Sequence, residues 1–531
     1  MPKRSNHHTL WEKRYLLLFL FILTGGALLR LICLGSMPGG MHQDETFVAW
    51  NAYALYHDGM DSAGHHYPVY MADWGDGHSA LYSYLLLPLI ALAGGNVTAF
   101  ISRLPQAVIA ILTLVAVYFL IKKMFSHQMG LWAMFLLAAC PWHITMSRWG
   151  LDANLAPGFL IFGLCFFVYG LEDNRFLLLS ALLYGLSLYC YAIIWPIVPI
   201  MLALQIFYCL GMKKLRINIW GILSALLLFI MALPLILFVL VNSSILPQIE
   251  LPFMTIPAMP GYRGSELALT LSGMWENLRR VAILLVRQDL GSPYDILLPY
   301  GLFYDIGRIF IIIGFISLVY HMVKKLRAGS FSYEVFIFIQ LIGAGIVCLL
   351  VTAMLHQVNC LFIPLVLCEA YGVWSTLSFL TTKLPRLRKA AVWGLTAIYI
   401  ICLAAFQYTY YTSYKDTVNA YFAEGVKEAV EFAMEKGNDI VIEKGAQWPR
   451  ILLFSGTTAS EYLQNVVYDE YPAPASFTNG EITFHTRIDY ENIKPDSVYI
   501  IYYTNVPLFE ENYVLTQFGT YWYVAVPSSD S

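Results

Sequence analysis

Long apolar segments recur along this chain, and they restrict the folds that it can adopt. Stretches of 18 or more nearly uncharged residues can cross the hydrocarbon core of a bilayer as helices. The 531 residues are 58% hydrophobic and only 13% charged. This composition, together with the repeated apolar segments, predicts a polytopic α-helical membrane protein.

The apolar segments predict about eleven transmembrane helices. The first follows four cations and lacks a small-residue cleavage site, so we expect an uncleaved anchor rather than a signal peptide. The predicted spans are 15–34, 99–121, 129–145, 155–171, 176–192, 193–210, 217–241, 300–323, 333–352, 358–380 and 390–411. The apolar run 81–93 is too short to span the bilayer comfortably, and we expect it to form a helix in the membrane interface.

The distribution of Lys and Arg predicts the orientation of the chain. Cytoplasmic loops retain positive charge, whereas short translocated loops lose it. With the N-terminus in the cytoplasm, the cytoplasmic segments before residue 412 contain 17 Lys and Arg, and the outer segments contain eight, all of them Arg. We therefore expect a multi-pass protein of the cell membrane with a cytoplasmic N-terminus and an extracellular C-terminal domain.

Charge divides the chain at about residue 412. Residues 1–411 contain 25 basic and 18 acidic residues, and residues 412–531 contain 7 basic and 17 acidic ones. The second segment combines an amphipathic helical pattern at 421–436 with three strand-like runs, at 439–442, 497–503 and 521–526. The sequence thus predicts a transmembrane module, 1–411, and a small soluble external α/β domain, 412–531. The acidic surface of that domain argues against nucleic acid as a partner, and no motif in it indicates chemistry.

The cysteines give a weaker indication of location. All nine lie within the predicted spans or at their ends, and none lies in the tail. They show neither a disulfide framework nor the spacing of zinc ligands. For a chain with an external domain, this favours a bacterial surface over a eukaryotic lumen.

Two connections on the predicted outer side, at about 35–98 and 242–299, are much longer than the others. Long loops in compact proteins are usually functional. The first contains two adjacent carboxylates, Asp44 and Glu45, shortly after the first predicted span. A carboxylate at the rim of a bilayer must be solvated, paired or used. This pair is therefore the strongest indication of function in the chain.

The first long loop is also rich in histidine and aspartate, which leaves other interpretations open. One is a solvated loop, because acids and histidines are ordinary in water. His42 and Asp44 form an H-x-D arrangement, which keeps a divalent metal as an alternative, although this spacing is nonspecific. No cofactor follows with certainty. The aromatic residues in the loop, such as Tyr53 and Trp74, predict that it folds against the membrane.

A second ionic cluster follows the third predicted span. Arg148 and Asp152 are four residues apart, so on a helical turn they would share a face and could simply pair with each other. The functional alternative rests on the predicted topology, which places this cluster on the same membrane face as Asp44.

The order of these elements resembles the glycosyltransferase-C superfamily, in particular the branch of protein O-mannosyltransferases and aminoarabinose transferases. Asp44-Glu45 matches an Asp-Glu pair that follows the first span in that branch. The run 77–82 matches a short interfacial-helix motif, and 147–152 matches an Arg-x-x-x-Asp-like segment after the third span. The resemblance covers roughly residues 15–380. The motifs His-Gln-Asp-Glu and Trp-Gly-Asp-Gly are also similar to those of an uncharacterised group of such proteins from Gram-positive bacteria.

This resemblance implies a membrane glycosyltransferase of the cell envelope. Such an enzyme moves a hexosyl or pentosyl group from a polyprenyl phosphate to an acceptor hydroxyl, with inversion and without a covalent intermediate. It implies Asp44 as the catalytic base, with Glu45 orienting Asp44 or the acceptor, or only capping a helix. The implied donor-phosphate ligands are Arg148 and Arg103. The residues implied to position the acceptor or the sugar are Asp152, His78, Trp74 and Tyr53.

The chain departs from the family pattern at two places. His78 lacks the prolines that usually follow it. In the segment 356–364, Cys360 stands where an arginine often follows the asparagine, so phosphate binding from that position is in doubt. The charge could instead come from Arg263, Arg279, Arg280 or Arg308.

The main alternative function is a transporter or flippase for a lipid-linked or polar substrate. It would predict charged residues in the middle of the spans, broken helices and internal repeats. The predicted spans are almost free of such charges, with Glu369 as the main exception, which favours chemistry at one face. The sugar is not specified by the sequence, and the acceptor could be a glycan, a teichoic polymer, a lipid or a protein.

Overall fold

The computed structural model describes residues 5–74, 77–261 and 267–528, with side chains from residue 13 onward. The helices, in chain order, are α1 (Ser5–Leu31), α2 (Gln43–Asp58), α3 (Leu81–Leu92), α4 (Ala99–Met124), α5 (His127–Ala139), α6 (Pro141–Met146), α7 (Ala156–Gly170), α8 (Phe176–Ser187), α9 (Ile197–Gly211), α10 (Ile219–Asn242), α11 (Leu271–Arg287), α12 (Asp305–Arg327), α13 (Glu334–Leu350), α14 (Phe362–Lys383), α15 (Pro385–Tyr411), α16 (Ser413–Tyr421), α17 (Val426–Lys436), α18 (Trp448–Phe454) and α19 (Ala459–Asn465).

The strands are short in the loops and longer in the tail. They are β1 (Tyr70–Met71), β2 (His78–Ser79), β3 (Ile249–Leu251), β4 (Met254–Ile256), β5 (Asp439–Ile442), β6 (Val467–Glu470), β7 (Ala473–Asn479), β8 (Ile482–His485), β9 (Val498–Tyr502), β10 (Tyr513–Phe518) and β11 (Trp522–Pro527).

The polytopic helical architecture predicted from the sequence is confirmed. Among the described residues, eight helical segments are long and apolar enough to cross a membrane. The predicted spans 129–145, 176–192 and 333–352 correspond to α5, α8 and α13, which have only 13, 12 and 17 residues. The structure therefore contains a helix at each of the eleven predicted positions. Eight of the helical segments reach the length of a full span, and two of these, at α7 and α9, do so only together with the 3-10 turns Asp152–Leu155 and Ala192–Ile194 that precede them.

Small residues allow the spans to pack closely. A Cβ atom on Gly314 of α12 would lie 1.7 Å from the carbonyl oxygen of Cys368 in α14, and one on Gly372 of α14 would lie 2.1 Å from the carbonyl oxygen of Phe310. Glycine at both positions lets the two backbones approach, as is usual where helices pack in lipid. These contacts form part of the rigid body beneath the long loops.

The two long loops pack against each other on one face of the helical body, which we call the loop face. Val69 of the first loop donates its backbone N–H to the carbonyl oxygen of Thr255 in β4, at 3.0 Å. The predicted interfacial helix is present as α3, and the second loop contains the helix α11. The loop face thus carries a folded layer and not a set of solvated connections.

The tail is an α/β domain, as the sequence predicted, and it is built on a seven-stranded sheet of which the sequence indicated three strands. The strand order is β10-β11-β9-β5-β8-β7-β6, in which β5 is parallel to both of its neighbours. The predicted helix 421–436 is divided, because Ala423 and Gly425 adopt φ angles of 54° and 93° between α16 and α17. Such left-handed angles cannot continue an α-helix.

The core of the protein runs without interruption from the spans into the tail. Buried apolar side chains of α5, α2 and α18, such as Leu137, Phe47 and Ile451, belong to the same contiguous cluster. Burial of this surface stabilises the arrangement of the tail on the loop face. The tail is therefore packed against the segment that contains Asp44 and Glu45.

Candidate active site

The two adjacent carboxylates lie in the first turn of α2 and point in different directions. The side chain of Asp44 is 31% exposed, whereas that of Glu45 is fully buried. His42 caps the helix: its Nδ1 accepts the N–H of Asp44 at 3.3 Å, and the backbone N–H of His42 donates to Oε2 of Glu45 at 3.3 Å. This capping box fixes the first turn of α2, and it leaves only Asp44 facing solvent.

Glu45 forms a buried ion pair with Arg103 of α4. Nε of Arg103 donates to Oε1 of Glu45 at 2.8 Å, and Nη2 donates to Oε2 at 3.2 Å. The other N–H groups of Arg103 donate to the carbonyl oxygens of Leu34, Pro38 and Gly40. All five donors of this guanidinium thus have acceptors. The pair holds the segment after α1 against α4.

Arg148, like Arg103, binds backbone carbonyl groups near the end of α1. Its guanidinium is 1% exposed and donates to the carbonyl oxygens of Leu29, Arg30, Cys33 and Met37. These are carbonyls of the last turn of α1 and of the turn that follows, which lack helical partners and carry partial negative charge. Arg148 therefore caps the C-terminus of the first span.

Asp152 is buried beside the second strand of the first loop. Its Oδ2 accepts the backbone N–H of Ser79 at 3.1 Å, and its Oδ1 accepts the N–H of Ala153 at 2.7 Å. The structure thus directs Arg148 toward α1 and Asp152 toward β2, so the two residues serve different elements.

The predicted sugar-positioning residues of the first loop lie close to the tail. Nδ1 of buried His78 is 3.6 Å from Oδ2 of Asp73. The ring of Trp74 packs against Phe47 of α2 and Trp448 of α18, with centroid distances of 5.5 and 5.3 Å. This aromatic group fills the junction between α2 and the tail.

Two side chains of α2 hydrogen-bond to the tail. Nε1 of Trp50 donates to the carbonyl oxygen of Thr457 at 2.8 Å, and the hydroxyl of Tyr53 donates to the carbonyl oxygen of Gly456 at 3.0 Å. Tyr53 is therefore a docking residue for the tail in this structure. Its pKa is raised by burial, which keeps the hydroxyl protonated as a donor.

The glycines before α2 are explained by the same docking. Gly40 has a φ angle of 71°, and a Cβ atom there would lie 2.2 Å from the carbonyl oxygen of Phe422. The N–H of Gly39 donates to Oδ1 of Asn419 in α16 at 2.7 Å. Any larger residue at position 40 would push the tail away from the turn that leads to Asp44.

Arg450 of α18 is a residue near the site that the sequence did not indicate. It is 3% exposed, and it donates to the carbonyl oxygens of Met41, Ala446 and Tyr421 at 2.8, 3.2 and 3.3 Å. Burial lowers its pKa to about 10, and the nearby carboxylates of Asp44 and Glu45 oppose that shift. It remains charged at neutral pH. The only sequence signal was that Arg450 follows Trp448-Pro449 in an acidic domain.

We expect Arg450→Met to destabilise both the packing of the tail and the turn before Asp44, because Arg450 donates hydrogen bonds to both. The substitution leaves the carbonyl groups of Met41 and Tyr421 without a donor, which costs about 1–3 kcal/mol for each buried group that stays unsatisfied. Thermal unfolding of the purified protein measures this loss. Arg487→Met, at an exposed position of the same domain, is the matched control. Equal stability of the two variants would contradict the role assigned to Arg450.

Asp44 opens into a cleft of about 570 Å³ on the loop face. Three arginines of the second loop, Arg279, Arg280 and Arg287, line this cleft together with His356. The sequence indicated Arg279 and Arg280 only as possible substitutes for other phosphate ligands, and it did not indicate Arg287 as one. Of the other two candidates, Arg308 does not line the cleft, and Arg263 lies outside the described residues. In the structure, the three arginines of the second loop are those that share an open cavity with Asp44.

The helix that carries these arginines presents three different faces. One face packs on α13, where Nδ2 of Asn277 donates to the carbonyl oxygen of Leu349 at 3.0 Å. A second face exposes apolar side chains at helical spacing, namely those of Leu271, Trp275, Leu278 and Val286. The third faces the cleft. An exposed apolar stripe beside basic residues is typical of a helix that lies in a membrane interface.

The three arginines differ in the donors that they leave available. Arg279 is held by Glu276 through two hydrogen bonds of 2.8 Å, whereas Arg280 donates to Glu276 only through Nε, at 3.2 Å. The guanidinium of Arg287 has no hydrogen bond or ion pair with any residue that the structure describes. Arg280 and Arg287 are seven residues apart and therefore share a face of α11.

His42, which caps the turn that contains Asp44, packs against two aromatic rings. Its ring lies 4.8 Å from the ring of Trp149 and 5.5 Å from that of Tyr294, measured between centroids. Burial lowers the pKa of His42 to about 4, so the imidazole is neutral at physiological pH. Asp44 consequently has no cationic partner in His42, and its carboxylate is available to the cleft.

No protein-family model and no curated protein matches this chain. The solved structures, in contrast, show its fold. The chain has the glycosyltransferase-C fold, as its sequence resemblance predicted. The structure is similar to that of ArnT from Cupriavidus metallidurans bound to undecaprenyl phosphate, with a TM-score of 0.52 and 9% identity, over 96% of this chain and 98% of that one.

A second similar structure is the Archaeoglobus fulgidus oligosaccharyltransferase in complex with Zn and sulfate. Its TM-score is 0.52 at 14% identity, over 82% of this chain and 61% of that one. Zn raises the question of a metal site here. Within the described ranges, no group of three or more His, Cys, Asp or Glu side chains is placed to hold a metal ion. The side chains around Asp44 therefore do not fit a bound metal ion.

Proposed function

We propose that this protein is a membrane glycosyltransferase that moves a sugar from a polyprenyl-phosphate donor to an acceptor hydroxyl at the loop face. The observation that carries the proposal is the cleft in which the exposed carboxylate of Asp44 faces Arg280 and Arg287 beside a membrane-interface helix. The fold supports this assignment, because the similar ArnT structure is bound to undecaprenyl phosphate. We further propose that the loop face is extracellular, on the basis of the Lys and Arg distribution.

The proposed reaction is a single displacement at the anomeric carbon. The acceptor hydroxyl gives its proton to the Asp44 carboxylate while its oxygen forms the new bond to carbon. The bond between that carbon and the phosphate oxygen breaks, and its electron pair leaves with the polyprenyl phosphate. Because an ordinary aspartate is a weak base, proton uptake is late, when the anomeric centre is already oxocarbenium-like. The product is inverted.

We assign the donor phosphate to Arg280 and Arg287. Guanidinium groups bind phosphate oxygens in a fork and stay charged near lipid, and these two retain free donors over the cleft. Arg103 and Arg148, the ligands implied by the family resemblance, already direct their donors to Glu45 and to backbone carbonyls. In our proposal they support the shape of the loop before α2. The apolar stripe of α11 would then lie beside the polyprenyl chain.

The assignment of the phosphate is tested by the double variant Arg280→Ala/Arg287→Ala. Hydrogen bonds to charged groups contribute about 1.5–3 kcal/mol each, which corresponds to roughly 10–100-fold per lost ligand. We expect the KM for a polyprenyl-phosphate sugar to rise at least tenfold, since the phosphate loses both partners. Steady-state transfer in detergent or nanodiscs measures this change.

Arg279→Ala is the matched control for that experiment. It removes a cation from the same helix, but the guanidinium of Arg279 already donates two hydrogen bonds to Glu276. We expect a change in KM of less than about threefold, as for most surface charges. If Arg279→Ala impaired the donor as much as the double variant, the specific role of Arg280 and Arg287 would be refuted.

The transporter alternative has less support from the buried charges of the spans. Glu369 of α14 accepts a hydrogen bond from the hydroxyl of Tyr399 in α15. Arg30 of α1 donates to the carbonyl oxygens of Gly26 and Leu137. Both groups link neighbouring helices, whereas a transport path requires charges that can bind and release a substrate.

A further inference from the structure

A second, more enclosed pocket lies beside the cleft. It contains about 470 Å³ of empty space when its mouth is counted, of which about 30 Å³ can hold the centre of a water molecule. Six of the residues that line it are Trp, Tyr or Phe, namely Trp142, Trp149, Tyr294, Tyr410, Tyr414 and Phe422. Trp149, Tyr294, Asp295 and His356 border both the pocket and the cleft, so the pocket opens where Asp44 and His42 lie.

Three buried polar atoms of this wall have no hydrogen-bond partner among the described residues. They are Nε1 of Trp149, Oδ1 of Asp295 and the hydroxyl of Tyr414. Buried polar groups are nearly always satisfied in folded proteins. Three such atoms around one small pocket therefore indicate that a bound molecule, or water in its place, completes them.

The chemistry of these atoms specifies the molecule that would complete them. The indole N–H is a donor, the carboxylate oxygen is an acceptor, and the phenol hydroxyl can be either. Burial raises the pKa of Asp295 to about 7, so its carboxyl group can also donate at neutral pH. Sugar hydroxyls both donate and accept, and the C–H faces of a sugar ring pack well on aromatic rings.

We propose that this pocket binds the transferred glycosyl group itself, with Trp149, Asp295 and Tyr414 hydrogen-bonding its hydroxyls. This inference rests on the proposed function. It places the sugar ring in the pocket, the phosphate in the cleft at Arg280 and Arg287, and the anomeric carbon at the shared mouth near Asp44. The ligand class is a single monosaccharide residue that carries free hydroxyls.

The shape of the pocket favours the donor sugar over the acceptor. The enclosed part has room for about two waters, so it receives one edge of a single sugar ring whose other atoms lie at the mouth. A polymeric acceptor needs more space than this, and the adjoining cleft of about 570 Å³ offers it. Tyr414 of α16 and Phe422 also line the pocket, so the segment after the last span contributes to selection of the sugar.

The experiment compares two probes on the full-length protein in nanodiscs. One is bare undecaprenyl phosphate, and the other is undecaprenyl phosphate that carries glucose, mannose or arabinose. We expect Tyr414→Phe and Asp295→Asn to weaken binding of the preferred sugar-bearing lipid about tenfold, the upper range for a lost hydrogen bond. Binding of the bare lipid should stay unchanged. Tyr408→Phe and Asp496→Asn, at exposed positions that line neither the pocket nor the cleft, serve as matched controls.

The outcomes separate the two proposals. If the unaltered protein binds neither probe, the proposed function fails and the pocket assignment fails with it. If it binds both, but the pocket variants bind the sugar-bearing lipids as well as the unaltered protein does, only the pocket assignment is overturned. Equal loss of affinity for both probes would show a structural role for these side chains and would also overturn the inference.

Discussion

Replacing Asp44 by asparagine is expected to reduce glycosyl transfer by about 10²–10⁴-fold, the usual contribution of a positioned general base. The substitution keeps the size of the side chain but removes the group that accepts the proton. Asp44 is partly exposed and is not buried in the ion pair below it, so the fold should tolerate the change. Single-turnover transfer from a polyprenyl-phosphate sugar measures the effect, and thermal unfolding reports the integrity of the protein.

Asp289→Asn is a control for this prediction, because Asp289 borders the same cleft. That variant changes the charge of the cavity by the same amount but leaves the proposed base in place. We expect at least a tenth of the original rate. Full turnover by Asp44→Asn would remove the proposed base and the mechanism built on it.

Replacing Glu45 by glutamine is expected to destabilise the protein by about 3–5 kcal/mol, the usual cost of leaving one charge of a buried pair uncompensated. The guanidinium of Arg103 would remain fully buried without its carboxylate. Glutamine can still cap the first turn of α2, so the main loss comes from the charge. Chemical denaturation in a mild detergent, followed by tryptophan fluorescence, measures the difference.

The double variant Glu45→Met/Arg103→Met separates the charge effect from a loss of packing. Replacing both members of a buried pair by apolar residues is often close to neutral. We expect the double variant to be more stable than Glu45→Gln, even though it carries more changes. A double variant that is less stable than Glu45→Gln would show that the pair stabilises the protein mainly through its hydrogen bonds to the loop, and not through its charge balance.

The sequence identified most elements of the fold because their signals are local. Apolar length located a helix at every predicted span, and alternating patterns located β5, β9 and β11 within one or two residues. The prediction of one helix at 421–436 was only partly correct, because the chain breaks at Ala423. The break comes from docking against Gly40, which is a contact between residues far apart in the chain. Hydrophobic periodicity contains no information about such a contact.

The candidate site was predictable only in part, for a related reason. Asp44 could be selected from its position after a span, and the structure leaves it exposed in a cleft. The partners of the arginines could not be predicted, because a guanidinium can donate in many geometries. The residues next to an arginine in the sequence do not identify its acceptors. Arg103 pairs with Glu45 across 58 residues, and Arg450 reaches Met41 across 409.

The docking of α18 and the Gly456–Thr457 turn on α2 has a consequence for the biogenesis of the protein. The turn that presents Asp44 is made early in synthesis, yet its supports at Arg450 and Thr457 leave the ribosome more than 400 residues later. A nascent or truncated chain therefore inserts its spans with an incompletely supported Asp44. The proposed site is therefore complete only when the last domain has folded onto the first loop.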